Sequence, residues 1–182
     1  MFRYLWFIWA DKMINIADLN TKDQVFQKVN DFLEKNSINI VSINKQKPWG
    51  GYFVIKLSDT ECFIKLFFPE LSFSSSLKEE SLSPKILIVA PGVRLSWQYH
   101  LRRAEIWTLV GGKAGVVYSD TDMEGTQHIL KSGETINLKQ GERHRLLGLD
   151  TFGIIAEIWQ HTDPSNPSNE EDIVRVQDDF GR

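Results

Sequence analysis

Two patterns of apolar positions divide the chain. Between residues 21 and 36, Val25, Val29, Phe32 and Leu33 fall on one face at helical spacing, while Lys22, Asp23, Lys28 and Glu34 face away. Thr21 precedes that run with Gln24 three positions on, the arrangement of a capping box, and Asn36 can close it. One amphipathic helix is expected there. From residue 38 the pattern changes to short strand-like runs at 38–43, 52–57, 62–67, 85–90, 94–100, 105–110, 115–118, 126–130, 135–138, 143–147 and 152–159. Gly, Pro, Asp and Ser separate them and no helices alternate with them, so the expected class is all-β, a sandwich or barrel and not a set of parallel βαβ units. Segment 69–84, rich in Ser, Glu and Lys, and segment 161–169, rich in Asp, Pro, Ser and Asn, read as surface loops, with a turn near 169–173. The expected division is an N-terminal extension with the helix over 1–37, then a β-domain over 38–182 carrying a loop insertion near 68–84.

Composition narrows the function classes. The 182 residues, 42% hydrophobic and 25% charged, suit one globular domain with its own core. A net charge of −3 gives no electrostatic reason to expect nucleic acid or an anionic membrane surface. The scattered basic residues leave room for a small anionic ligand in a local pocket. Cys62 is the single cysteine, which excludes an internal disulfide and suits a reducing cytoplasm; within its apolar run it is expected as a small buried side chain. Residues 1–10 look like the start of a signal peptide, but Asp11 and Lys12 end the run, no small-residue cleavage pattern follows, and it is far too short to span a bilayer. The expectation is translation from Met13 and a cytoplasmic protein.

The chemistry concentrates between Gly92 and Gly112. Along an extended strand Gln98 and His100 project to one face, and a turn through 101–104 brings Glu105 near His100. His144 follows a second glycine-punctuated turn at 139–142 and can approach from an adjacent strand. Two imidazoles, a carboxylate and an amide oxygen form a mixed nitrogen and oxygen set suited to Zn, Mn, Fe, Co or Ni. His128 and His161 lack such surroundings and receive no role.

These spacings resemble the two signature motifs of the cupin superfamily. Gly92, Gln98, His100, Glu105 and Gly112 match the first throughout, with Gln in place of its usual first His; Gly133, Gly141 and His144 match the second, with Lys139 for the usual proline and Gly148 for the usual asparagine. The resemblance implies a double-stranded β-helix, or jelly-roll barrel, preceded by a short helix. Further segments, Lys47-Pro-Trp-Gly50-Gly-Tyr52, Leu95 to His100, Arg103-Ala-Glu105-Ile-Trp107 and Glu171 to Arg182, are similar to type II mannose-6-phosphate isomerases, the domains often fused behind a GDP-mannose pyrophosphorylase. In that family the metal set begins Gln-x-His, as it does at Gln98. Leu101, Arg102, Ile106 and Trp159 depart from the family in the pocket wall, and the glycine-rich nucleotidyltransferase motif is absent.

The resemblance implies one divalent metal, zinc by family, held by Gln98, His100, Glu105 and His144. It implies isomerisation of a sugar phosphate, mannose 6-phosphate to fructose 6-phosphate, through an enediolate. Glu157, on the inward parity of the 152–159 run, is the candidate base, or else a carboxylate paired with an arginine. Arg175 is a candidate for phosphate binding and charge stabilisation, or else a solvated surface residue. Arg103 either contacts substrate or braces Glu105. Trp49 and Trp107 read as packing residues. The alternatives are a non-catalytic carbohydrate-binding or sensing cupin, and another cupin enzyme such as a different sugar-phosphate isomerase or an oxygenase. A homodimer is expected at the level of the family.

Overall fold

The computed structural model describes residues 13–71 and 81–182, so the expectation about residues 1–12 lies outside them. The predicted helix forms as α1, Lys22–Lys35. Thr21 and Gln24 exchange both capping-box hydrogen bonds, and Val25, Phe26, Val29 and Leu33 are buried. That face packs on the outer side of the sheet with Phe53, Ile86, Ile88, Ile154 and Ile158.

The strands are β1 (Ile40–Asn44), β2 (Gly50–Ile55), β3 (Leu82–Val89), β4 (Trp97–Tyr99), β5 (Arg103–Ser119), β6 (His128–Ile129), β7 (Thr135–Leu138), β8 (Arg143–His161) and β9 (Val174–Gln177). They run antiparallel in the order β1-β2-β3-β8-β4-β9, with β5 pairing β6, β7 and β8. The long strands β5 and β8 each merge two predicted runs. Residues 153–160 of β8 lie between β3 and β5, while His144, earlier in the strand, pairs with Gln98 of β4. One strand thereby serves both walls of a jelly-roll barrel. Gly112, at φ +63°, sits where the β5–β8 register shifts; a Cβ there would lie 1.8 Å from the Phe152 carbonyl oxygen.

Strands β3 and β8 read as near-continuous apolar runs because both faces are covered. Ile154, Ala156 and Ile158 face the helical side, whereas Ile155 faces the barrel interior with Leu87, Val89, Trp107 and Leu109. The inward positions that interrupt this apolar lining, Lys85, Glu105, Glu157 and Trp159, make the site.

Three expectations need correction, and one strand is additional to those expected. Residues 62–67 are not a strand: Thr60–Phe67 is a second helix, α2, with Thr60, Phe63, Ile64 and Phe67 buried at i, i+3, i+4 and i+7. A short, almost unbroken apolar run hides that periodicity. On α2 the Cys62 side chain is exposed, not buried. The insertion is shorter than 68–84, since Leu82, Ser83 and Pro84 belong to β3; residues 72–80 lie outside the described residues. Finally, the chain after residue 173 forms β9, a strand the apolar pattern does not reveal because Arg175, Val176 and Gln177 are exposed.

Candidate metal centre

The barrel registers assemble the site from three cross-strand rows, whose members share a face. The first is Lys85–Glu157–Trp107, across β3, β8 and β5. The second is Ser83–Trp159–Glu105, one step along the same strands. The third is His144–Gln98–Arg175, across β8, β4 and β9. The turn after β4 adds His100, and Gly141 ties the two motifs together by donating its N–H to the His100 carbonyl at 2.9 Å.

His100, Glu105 and His144 are all buried, with one ligand atom from each lying within 4.8 Å of the other two. His100 Nδ1 lies 2.7 Å from the Asp172 carbonyl oxygen and His144 Nδ1 lies 3.0 Å from that of Glu142. A carbonyl only accepts, so each Nδ1 carries a proton and each ring turns Nε2 inward, the atom a metal would take. His100 Nε2 is 3.2 Å from Glu105 Oε1, and His144 Nε2 is 3.3 Å from Glu105 Oε2. His144 Nε2 and Glu105 Oε2 are buried without a hydrogen-bond partner among the described residues. Converging, unsatisfied acceptors are costly unless a cation joins them, so the donor set fits a divalent metal. Gln98 faces the same cavity; its amide oxygen accepts from Ser96 Oγ at 2.5 Å and keeps a second lone pair.

The supporting residues are well engaged. Arg103 Nε donates to Glu105 Oε1 at 2.7 Å, Nη2 reaches His100 Nε2 at 3.1 Å, and Nη1 bonds Ser168 Oγ and the Asn169 carbonyl. Most of its guanidinium therefore braces the centre, although it also lines the cavity. Burial alone would raise the Glu105 carboxyl, but His100 and the Arg103 guanidinium outweigh it and hold the group well below the usual carboxylate range. Glu157 Oε1 accepts from Trp107 Nε1 at 2.9 Å. Burial first, and then the Glu105 charge, push Glu157 from 4.5 up to about 8, against the opposing pull of Lys85, Arg103 and the Trp107 hydrogen bond. Arg175 is exposed and lines the cavity mouth with Arg182.

Three residues escaped the sequence reading. Asp172 is buried, accepts from the Leu101 and Arg102 amides and from Ser168 Oγ, and orients His100 through its carbonyl. The signal was its place in the Glu171 to Arg175 motif. Lys85 and its partner Glu170 also line the cavity. Lys85 could be found only as a charge within an apolar strand, and Glu170 carries no signal. Trp49 and Trp107 both pack in the interior cluster, as expected. His128 pairs with Glu134, and His161 with Ser83 and the Ser168 amide; neither belongs to the converging group of His100, Glu105 and His144. Among the described residues no helix is long and apolar enough to cross a membrane.

Solved structures share the fold at low identity. An oxalate oxidase in complex with glycolate aligns over 73% of this chain and 58% of its own, at TM-score 0.50 and 18% identity. Vicilin from Corylus avellana aligns over 74% and 35%, at TM-score 0.51 and 14% identity. The fold is thus the cupin barrel. Among sequences, a mannose-1-phosphate guanylyltransferase of Salmonella montevideo is 32% identical over 150 residues, 82% of this chain and 26% of that protein. The alginate biosynthesis protein AlgA of Pseudomonas aeruginosa is 29% identical over 126 residues, 69% of this chain and 24% of that protein. The chain thus spans about a quarter of these relatives. The family described as mannose-6-phosphate isomerase C-terminal matches residues 57–178, and the chain belongs to that family.

Proposed function

We propose that this domain is a metal-dependent aldose–ketose isomerase of a sugar phosphate, interconverting mannose 6-phosphate and fructose 6-phosphate. The observation that carries the reading is Glu157. It is a buried carboxyl poised near neutrality, in the row beside Glu105 and open to the same cavity as the metal centre. Isomerisation moves a proton from C2 to C1 through an enediolate, with negative charge on O1 and O2, while the hydroxyl proton passes from O2 to O1; one base beside both carbons serves the carbon-bound proton. Glu157 fits because the Trp107 N–H holds Oε1, leaving Oε2 to take the proton from one carbon and return it to the next.

The metal held by His100, Glu105, His144 and Gln98, in our reading zinc, supplies a Lewis acid for the charge on the substrate oxygens. Arg103 acts as a positioning residue, fixing Glu105 and His100. Arg175 stands at the mouth, where it meets the anionic end of the substrate by charge-assisted hydrogen bonding. The cavity holds about 60 Å³ and opens to solvent, so in this reading the reacting carbons enter towards Glu157 and the phosphate stays towards the exposed Arg175.

The test is an assay of the metal-loaded chain with a panel of hexose and heptose phosphates. Mannose 6-phosphate should give fructose 6-phosphate, with loss on chelation and recovery on metal addition. Failure to interconvert any sugar phosphate would remove the reading.

A further inference from the structure

Lys85 is the charge in the cavity that the proposed chemistry leaves unexplained. It interrupts the apolar run of β3, its side chain is only 7% exposed, and it faces inward directly opposite Glu157. Its ammonium pairs elsewhere, with Glu170 in the β8–β9 connection, a carboxylate that is half exposed. A buried ammonium needs an anion at hand. The chain supplies one from the solvent edge, where a carboxylate can withdraw and be rehydrated.

The surroundings of Lys85 suit a larger anion better than this single carboxylate. Trp159 carries two stacked cations, Lys85 Nζ at 3.4 Å and Arg103 Cζ at 3.6 Å from the ring centroid. Its indole N–H is buried without a partner among the described residues, and Trp159 lines the cavity. Arg175 and Arg182 stand at the same cavity. Arg182 is paired with Asp178 and Arg103 with Glu105, so the cation whose carboxylate stands at the solvent edge is Lys85, and Arg175 adds charge at the same cavity. On either side of Glu170 the connection is anchored, at Ser168 by Arg103 and at Asp172 by the Leu101 and Arg102 amides. The Glu170 side chain can leave without the loop unravelling.

We propose that Lys85 binds the incoming anion together with Arg175 and that Glu170 is a built-in stand-in for the ligand's phosphate, displaced when that phosphate enters. The identification of the anion as phosphate rests on the isomerase reading; the exchange of Glu170 for an incoming oxyanion does not. The device delays nothing chemically. It sets the affinity, because every bound phosphate competes with an internal carboxylate already in place.

The experiment is equilibrium binding of inorganic phosphate, mannose 6-phosphate and mannose to the metal-loaded chain, at fixed ionic strength, for the parent, Glu170→Gln and Lys85→Gln. Glu170 is half exposed, and a thermal melt of each variant establishes that it is folded before binding is compared. Removing the competitor should tighten both phosphate ligands about tenfold, and Lys85→Gln should weaken both about tenfold or more. Mannose should bind equally to all three. Unchanged or weaker phosphate binding by Glu170→Gln overturns the proposal, as does full phosphate affinity in Lys85→Gln. The binding arm needs no turnover, so tightening in Glu170→Gln without isomerase activity would sustain the exchange and sink only the isomerase reading. Turnover with an unaltered KM in Glu170→Gln would do the reverse.

Discussion

His144 Nε2 and Glu105 Oε2 face each other at 3.3 Å inside the barrel, and neither has a hydrogen-bond partner among the described residues. The Glu142 carbonyl holds a proton on His144 Nδ1, which leaves Nε2 turned to the carboxylate as the atom a metal would take. A cation between them supplies the partner that both lack. Zinc at about 1,000 times its Kd should therefore stabilise the parent by about 4 kcal/mol, and His144→Ala by far less. Thermal melts with metal and with chelator check this, and an equal metal-induced shift in both proteins would exclude His144 as a ligand.

Glu157 sets two pH dependences of opposite sign. Its carboxyl is raised from 4.5 to about 8, by burial first and the Glu105 charge second. The folded chain then holds a proton that the unfolded chain has released, so metal-free stability falls as pH rises through that window. Glu157→Gln removes this slope, and the melting-temperature difference in chelator should move in favour of the variant from pH 5 to pH 8.

In the proposed mechanism Glu157 works as the carboxylate, so kcat should rise with pH through its ionisation. A dication beside Glu105 cancels the second of the two causes, placing that limb below 8 in the metal-loaded protein. Glu157→Gln should lower kcat by about 100- to 10,000-fold with the metal retained. A variant that keeps full turnover and the same acid limb would remove Glu157 as the base.

Asp172 holds the turn that carries His100, through the Leu101 and Arg102 amides and its own carbonyl. Asp172→Ala should weaken metal binding by about 10- to 100-fold, as loss of an outer partner does, and equilibrium metal competition measures it. Unchanged affinity would show that the turn is held without its carboxylate.

The helical assignment of Thr60–Phe67 gives two neighbouring positions opposite fates. Phe63 is fully buried, with its ring 4.9 Å from that of Phe67, so Phe63→Ala should cost about 3–5 kcal/mol. Cys62 is exposed, and Cys62→Ser should change stability by no more than about 0.5 kcal/mol. Denaturant unfolding separates these outcomes; a large loss at Cys62 would favour a buried strand.

The candidate metal centre was legible because its frame is local. Gln98, His100 and Glu105 lie within eight positions between Gly92 and Gly112, and His144 follows the turn glycine Gly141. The inward parity of Glu157 was legible for the same reason, from alternation along one strand. What remained hidden depends on which strands adjoin. Lys85 meets Glu157 only through the β3–β8 register, and Arg175 meets Gln98 only through β9, whose exposed side chains carry no apolar signal. Helix α2 was masked by its own hydrophobicity, since a short apolar run does not declare its period.

The central claim is that a metal-bound cavity moves a proton within a sugar phosphate. Incubating mannose 6-phosphate with the metal-loaded chain in D2O, followed by NMR, tests it most directly. The account predicts fructose 6-phosphate together with loss of the C2 proton signal of mannose 6-phosphate, both stopped by chelator and restored by metal. Full metal occupancy and tight mannose 6-phosphate binding, with neither exchange nor product, would contradict it.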